Sequence, residues 1–316
     1  MTSPRSVHVL RPGLLTTVQD LGRWGFQSQG VPVAGPMDPF SHRLANALVG
    51  NSAETATLEV TLSGPALEFE SDCVIAIAGA EFVVTVDGEV APHAKALEVP
   101  SHSKVEFGTR LRGARAYVAV DGGFDVPLTL GSRATHVPSL LGGLEGRPLR
   151  KGDRLPLGAQ ASRRLAMRTT THAWDTLMEP AVVRVLRGPD EHRFPADAFD
   201  ALQSDAYAID LDSNRMGYRL HGPELHHSDG ADIISDVTPI GSLQVPASGQ
   251  PILLMADRQT TGGYPRIATV ISADLGIAGQ RAPGEILSFR VCSAADALSA
   301  LITRENALLA LEAPAS

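Results

Sequence analysis

Short runs of apolar and β-branched residues alternate with polar turns along most of this chain, and that rhythm predicts strands rather than helices. Residues 7–10 open as a short strand. Between residues 56 and 158, the runs 57–62, 66–69, 74–78, 82–86, 96–99, 104–107 and 114–120 recur at roughly ten-residue spacing, as the strands of a barrel or sandwich do. Asp87-Gly88, set between β-branched runs, is a two-residue hairpin signal. A second β-rich stretch covers residues 182–291. Its most distinctive part is a strand over 251–256 that runs into the polar cluster Asp257-Arg-Gln-Thr-Thr261. The chain then turns at Gly262-Gly263 and Tyr264-Pro265 and returns as a β-branched run over 267–271.

Helices are few. Asp38 stands where an N-cap belongs, Pro39 suits the first helical position, and Phe40, Leu44 and Leu48 share one face before Gly50. Residues 195–202 predict a short helix. Ser293 and Asp296 form a capping box for a last helix that runs to about Leu311. Residues 16–36, with Val18, Leu21, Trp24 and Phe26 scattered among glycines, read as a loop. Residues 159–179, rich in Arg and Thr, read as a linker or exposed excursion. The pattern predicts a mainly β protein of two barrel-like domains, residues 1–160 and 161–316, the second ending in the terminal helix. Glycine turns recur in the same order in both halves, from Gly64-Pro65 to Gly122-Gly123 and from Gly222-Pro223 to Gly262-Gly263. Duplication would leave that trace, and so would the ordinary turns of any β protein.

Composition narrows the function. The 316 residues carry a net charge of −8 with no basic stripe, which argues against nucleic acid as a partner. Cys73 and Cys292 are far apart, and no CxxC, HExxH or calcium-loop spacing occurs, so no metal is expected. A P-loop and a Gly-x-Ser-x-Gly elbow are both missing. No apolar run reaches membrane-spanning length and residues 1–8 lack a signal core, so the expected location is the cytoplasm, with no membrane contact.

Three polar clusters interrupt the apolar pattern: Gln19–Arg23 with Gly35–Asp38, Ser213–Arg219, and Asp257–Thr261 with Gln244 and Gln280. A strand gains nothing from such residues, whereas a small-molecule site needs convergent polar groups beside glycines. Arg215, next to Ser213 and Asn214, suits a carboxylate or amide clamp; equally, it could pair with Asp210, Asp212 or Glu224. Asp257 follows a buried strand, as a general base with a raised pKa would, or as a cap for its own loop. Gln244, Gln259, Thr260 and Thr261 are neutral donors and acceptors that could grip an amide or ureido ring. Tyr264 could stack on a flat ligand or simply pack. The candidate catalytic set is therefore Arg215, Asp257 and Gln259. The candidate substrate-binding set is Ser213, Asn214, Gln244, Thr260, Thr261 and Tyr264. His226-His227 reads as a solvated turn.

These clusters carry a resemblance. Thr17–Arg23, Gly30–Asp38, Asn46–Asn51 and Gly131-Ser-Arg133 resemble the N-terminal half of the biotin-dependent carboxyltransferase-like family. Ser213–Leu220, Gln244-Val-Pro246 and the run from Gln250 to Pro265 resemble its C-terminal half. Members go by the C component of 5-oxoprolinase, KipA or allophanate hydrolase subunit 2. Two departures stand out: Ser235-Asp-Val237 where the family often has Ser-Glu-Gly, and Gly131-Ser-Arg-Ala-Thr135 where it often has Gly-Ser-Arg-Ser-Thr. The resemblance implies two cyclophilin-like β-barrel domains. It implies work beside a KipI-like B component and a LamB/YcsF-like A component, with the assembly using ATP to open 5-oxoproline, a small cyclic amide, to glutamate. Larger relatives transfer a carboxyl group from biotin to urea, with biotin carried on a partner. A third role the resemblance leaves open is a regulatory partner of the KipI-like protein. The chain has no biotinylation Met-Lys-Met, so no covalently bound cofactor is expected on it.

Overall fold

The computed structural model describes residues 5–160 and 181–312, and most of the expected linker at 159–179 lies outside the described residues. Two compact units form. Among the described residues, one comprises 5–23, 34–160 and 306–312, and the other 24–33 and 181–305.

The first unit is built on nine strands: β1 (Ser6–Arg11), β2 (Leu15–Gln19), β3 (Thr57–Thr61), β4 (Ala66–Phe69), β5 (Cys73–Val86), β6 (Glu89–Val90), β7 (Ala96–Val99), β8 (Lys104–Val120) and β9 (Arg154–Pro156). They pair in the order β2-β3-β8-β4-β1-β9, while β5 runs along β8 and carries β6 and β7. Inward positions such as Val7, Val9, Leu58, Val60, Phe69 and Ile75 make one apolar core.

Four of the expected strands fuse into two. Residues 74–78 and 82–86 are a single strand, β5, and 104–107 and 114–120 are a single strand, β8. The pairing of β5 with β8 slips between Gly79 and Val84, so the apparent break is a series of bulges. Gly79 sits at φ +97°, and a Cβ there would come 2.4 Å from the Arg115 carbonyl. Residues 16–19, expected in a loop, belong to β2. Thr16 and Thr17 are buried against β3 there, and two threonines give no apolar alternation to read.

Helix α1 (Pro39–Leu48) starts as its sequence predicts, with Asp38 accepting from the Ser41 amide at 3.1 Å. A polar network lies beneath it. The Tyr117 hydroxyl donates to Glu59 Oε2 at 2.7 Å and accepts from the Asp38 amide at 2.8 Å. His42 Nε2 lies 3.0 Å from the Ala53 carbonyl and Nδ1 lies 2.9 Å from Thr57 Oγ1. A carbonyl only accepts, so the proton sits on Nε2 and the Thr57 hydroxyl donates to Nδ1. Burial lowers this imidazole to a pKa of about 4.

In the second unit, seven strands close a barrel in the order β10 (Val182–Arg187), β17 (Arg266–Val270), β14 (Ser242–Gln244), β15 (Ile252–Leu254), β12 (Gly217–His221), β11 (Tyr207–Ile209) and β18 (Ile286–Val291). The ring is completed by a parallel pairing of β10 with β18. Val183, Val185, Leu243, Leu253, Ile267, Leu287 and Phe289 fill it. A two-stranded ribbon, β13 (Asp236–Val237) with β16 (Thr261–Gly262), stands off the barrel. The short helix expected at 195–202 falls at α2 (Ala198–Ser204). A five-residue helix, α3 (Leu275–Gly279), gave no sequence signal because two of its five residues are glycine. The capping box is formed at α4 (Ala294–Glu312): the Asp296 amide donates to Ser293 Oγ and the Ser293 amide to Asp296 Oδ2, both at 3.1 Å. Among the described residues, no helix is long and apolar enough to cross a membrane.

Candidate functional site

The expected strand 251–256 pairs only through Leu254, because the chain beyond it is recruited by the turn before β12. The Met255 amide donates to the Met216 carbonyl at 3.0 Å, and the Asp257 amide to the Arg215 carbonyl at 2.8 Å. Side chains reinforce that junction. Arg215 closes on Asp257 as a fork, Nε to Oδ2 at 2.9 Å and Nη2 to Oδ1 at 3.0 Å, and both residues are buried. The fork goes to none of Asp210, Asp212 or Glu224. Asp210 instead meets His221 at 2.6 Å. Asn214 is exposed and accepts from the Met216 amide, while Ser213 Oγ accepts from the Arg219 amide; both shape the turn that presents Arg215.

Gln244 is buried at the end of β14, where Nε2 donates to the Tyr264 carbonyl at 3.2 Å. Its amide explains Gly262, since a Cβ there would sit 2.6 Å from that nitrogen. Thr261 pairs with Val237 in the ribbon, and Tyr264 is part-exposed. Arg266, which sequence reasoning did not single out, is buried and ties the ribbon down. It meets Asp190 at 2.8 Å and Asp236 at 2.7 Å. Its guanidinium is raised above the ordinary arginine value by those two carboxylates, Asp190 first. Asp236, one of the departures from the family pattern, is thereby held in place.

A cavity of about 230 Å³ lies beside the ribbon, and every described residue lining it belongs to the second unit. Of the nine residues singled out from the sequence, Gln259 and Thr260 line it; Asp257, Arg215 and Gln244 are buried without lining it. Trp24 and Gln27 supply another wall. They come from the segment read as a loop, and Trp24 is 60% exposed. Thr238 fastens the floor: its amide donates to the Thr260 carbonyl at 3.1 Å and its hydroxyl donates to the Gln259 carbonyl.

Arg258 also lines the cavity, although the sequence shows it only as one more polar residue in the run 257–261. It is 9% exposed. Nε donates to the Thr238 carbonyl at 2.6 Å, and Nη1 lies 3.5 Å from the Met255 carbonyl. Among the described residues Arg258 forms no ion pair, and it is the one charged side chain on the cavity wall. Burial lowers its guanidinium to about 10, against the pull of Asp257. At neutral pH it stays charged. The available signal was an arginine directly after an aspartate at a strand end, with a second arginine placed to take that aspartate.

A closed seven-stranded barrel with a polar loop at one end, in a chain that also carries a nine-stranded sheet unit, is the architecture of a carboxyltransferase domain. The chain belongs to the family described as carboxyltransferase domain, subdomain A and B, whose model matches residues 29–291. It is 40% identical over 292 residues to the C component of the Escherichia coli 5-oxoprolinase, covering 92% of this chain and 93% of that one. A urea amidolyase of Saccharomyces cerevisiae is 32% identical over 308 residues, and the match spans 90% of this chain but 16% of the yeast protein. Among solved structures, the Kluyveromyces lactis urea carboxylase superposes with a TM-score of 0.92 at 30% identity, over 98% of this chain and 29% of that one.

Proposed function

We propose that this chain is the C component of a multi-subunit 5-oxoprolinase, a complex that opens the lactam of 5-oxoproline to glutamate with ATP. The observation that carries this reading is the 40% identity to a 5-oxoprolinase C component across 92% of the chain. That relative is matched over nearly its whole length, unlike the long urea amidolyases, of which a small part is matched. The site chemistry is compatible. Opening a lactam needs donors for the carbonyl oxygen and a route for water, and Gln259, Thr260 and Arg258 supply neutral and cationic donors to one cavity. The partners on this reading are a KipI-like B component and a LamB/YcsF-like A component, acting in the cytoplasm. Arg215, Asp257 and Gln244 take positioning roles behind the cavity rather than direct contact with substrate.

A second reading is favoured by the family itself: a carboxyltransferase component of a biotin-dependent urea or amide carboxylase, with biotin carried by a partner. One reconstitution separates the two. ATP hydrolysis is followed with 5-oxoproline or urea as the trigger, for the chain alone and with the other components added singly and together. The proposal expects silence from the chain alone and 5-oxoproline-dependent turnover from the full set. A requirement for a biotinylated partner, with urea as the trigger, overturns it.

A further inference from the structure

Arg258 is unusual for a buried cation. A charge removed from water is normally paired, because desolvation costs several kcal/mol per ion. Here the neighbouring carboxylate, Asp257, is already held by both arms of Arg215. What Arg258 has instead are two backbone carbonyls, Thr238 at 2.6 Å and the more distant Met255. The first of these holds the guanidinium through Nε, with Nη1 at the outer limit of hydrogen-bonding distance. Among the described residues Nη2 has no hydrogen-bond partner. Among the described residues the cavity wall carries no carboxylate; Arg258 is joined there by Gln27, Thr238, Gln259 and Thr260, which are neutral, and by Trp24 with aliphatic Val33, Val237 and Pro239.

We propose that this cavity is a subsite for the carboxylate of a small, flat acid, with Arg258 Nη2 as the anion contact, Gln259 and Thr260 as amide contacts and Trp24 as the cover over the ring. The identity of that acid as 5-oxoproline rests on the function proposed above; the preference for a carboxylate does not. A volume of about 230 Å³ falls below the range of roughly 300–1,000 Å³ typical of drug-sized ligands and suits a metabolite of this size. A guanidinium already held by a backbone carbonyl loses little entropy on contact, and its planar fork matches a carboxylate. On this reading the positive charge is unpaired because the ligand pairs it.

The test uses the full-length chain with Trp174→Phe, which leaves Trp24 as the one fluorescent indole. Binding is titrated with 5-oxoproline and with 2-pyrrolidinone, the same lactam ring without the carboxylate, at low and high salt. The proposal expects 5-oxoproline to bind about ten- to a hundredfold tighter than 2-pyrrolidinone, with the preference shrinking as salt rises. Arg258→Gln should abolish the preference while leaving the weak affinity for 2-pyrrolidinone. Arg258→Lys should restore part of it. A purely structural arginine would lower both affinities together, and that outcome overturns the proposal. Equal wild-type affinity for the acid and the neutral lactam overturns it too, even if Arg258→Gln fails to fold. Turnover of the reconstituted complex keeps the two readings apart. A complex that opens 5-oxoproline with unchanged KM in Arg258→Gln sinks the subsite and leaves the function. A chain that prefers carboxylates through Arg258 in a complex inert to 5-oxoproline sinks the function and leaves the subsite.

Discussion

Arg215 and Asp257 are forty-two positions apart and meet as a closed fork, with both side chains almost wholly removed from solvent. Their backbones are joined as well, by the Asp257 amide on the Arg215 carbonyl. The pair therefore locks the turn before β12 to the loop after β15. Breaking a buried pair by removing one partner leaves an uncompensated charge and costs about 3–5 kcal/mol. Arg215→Ala is expected to lower the thermal melt sharply, and Arg215→Met with Asp257→Leu should recover much of the loss. A melt of Arg215→Ala within a degree or two of wild type would remove the structural role.

Gly262 and Gln244 give a second test. A methyl at Gly262 has to displace the Gln244 amide, which then loses the Tyr264 carbonyl. A buried amide left without its partner costs about 1–3 kcal/mol. Gly262→Ala should be destabilising by that order, and far less so when combined with Gln244→Ala, where the obstructing group is gone. Strict additivity of the two changes in a urea melt would contradict the contact.

His42 predicts a pH dependence. Its pKa is lowered from 6.5 to about 4 in the fold, so well above pH 6.5 neither state binds the proton and its contribution is complete. As pH falls below 6.5 the unfolded chain takes up a proton that the folded one refuses, and stability is lost progressively down to about pH 4. The size is about 3 kcal/mol in all. Comparing urea melts at pH 7.5 and pH 4.5 for wild type and His42→Gln isolates it: the wild type should lose more between the two pH values than the variant. Equal losses would mean the imidazole titrates normally.

Tyr117→Phe removes a hydroxyl that serves Glu59 and the Asp38 amide at once. Both partners are buried, so a loss of about 1–3 kcal/mol is expected. The readout is the melt of the full chain, and an unchanged melting temperature would show that water replaces the hydroxyl.

The strands were legible wherever a residue's side chain decides its place. The apolar runs at 57–61, 66–69 and 96–99 pair almost as read, and Asp38 and Ser293 cap helices as their spacing suggests. What escaped were features decided by a distant backbone. Gly79 looked like a break and is a bulge, because only the Arg115 carbonyl across the sheet shows what the missing side chain makes room for. The site divides the same way. The polar run 257–261 was visible as something a strand does not need, and Gln259 and Thr260 do reach a cavity. Which arginine is spent and which is spare was not visible, since Arg215 and Arg258 differ in whether a carboxylate remains to be taken. Trp24 was out of reach for another reason: nothing in a glycine-rich stretch near residue 24 indicates that it will pack with residues 238–260.

That last feature bears on how the protein can be made. The segment 24–33 leaves the ribosome well over a hundred residues before the strands it will join. Part of the cavity wall is thus synthesised first and has nothing to close against until the barrel of the second unit emerges. A fragment cut at the apparent boundary between the halves would carry Arg258 and Gln259 but lose Trp24, Gln27 and Val33. A cut there separates the walls of one cavity, so neither fragment retains it whole.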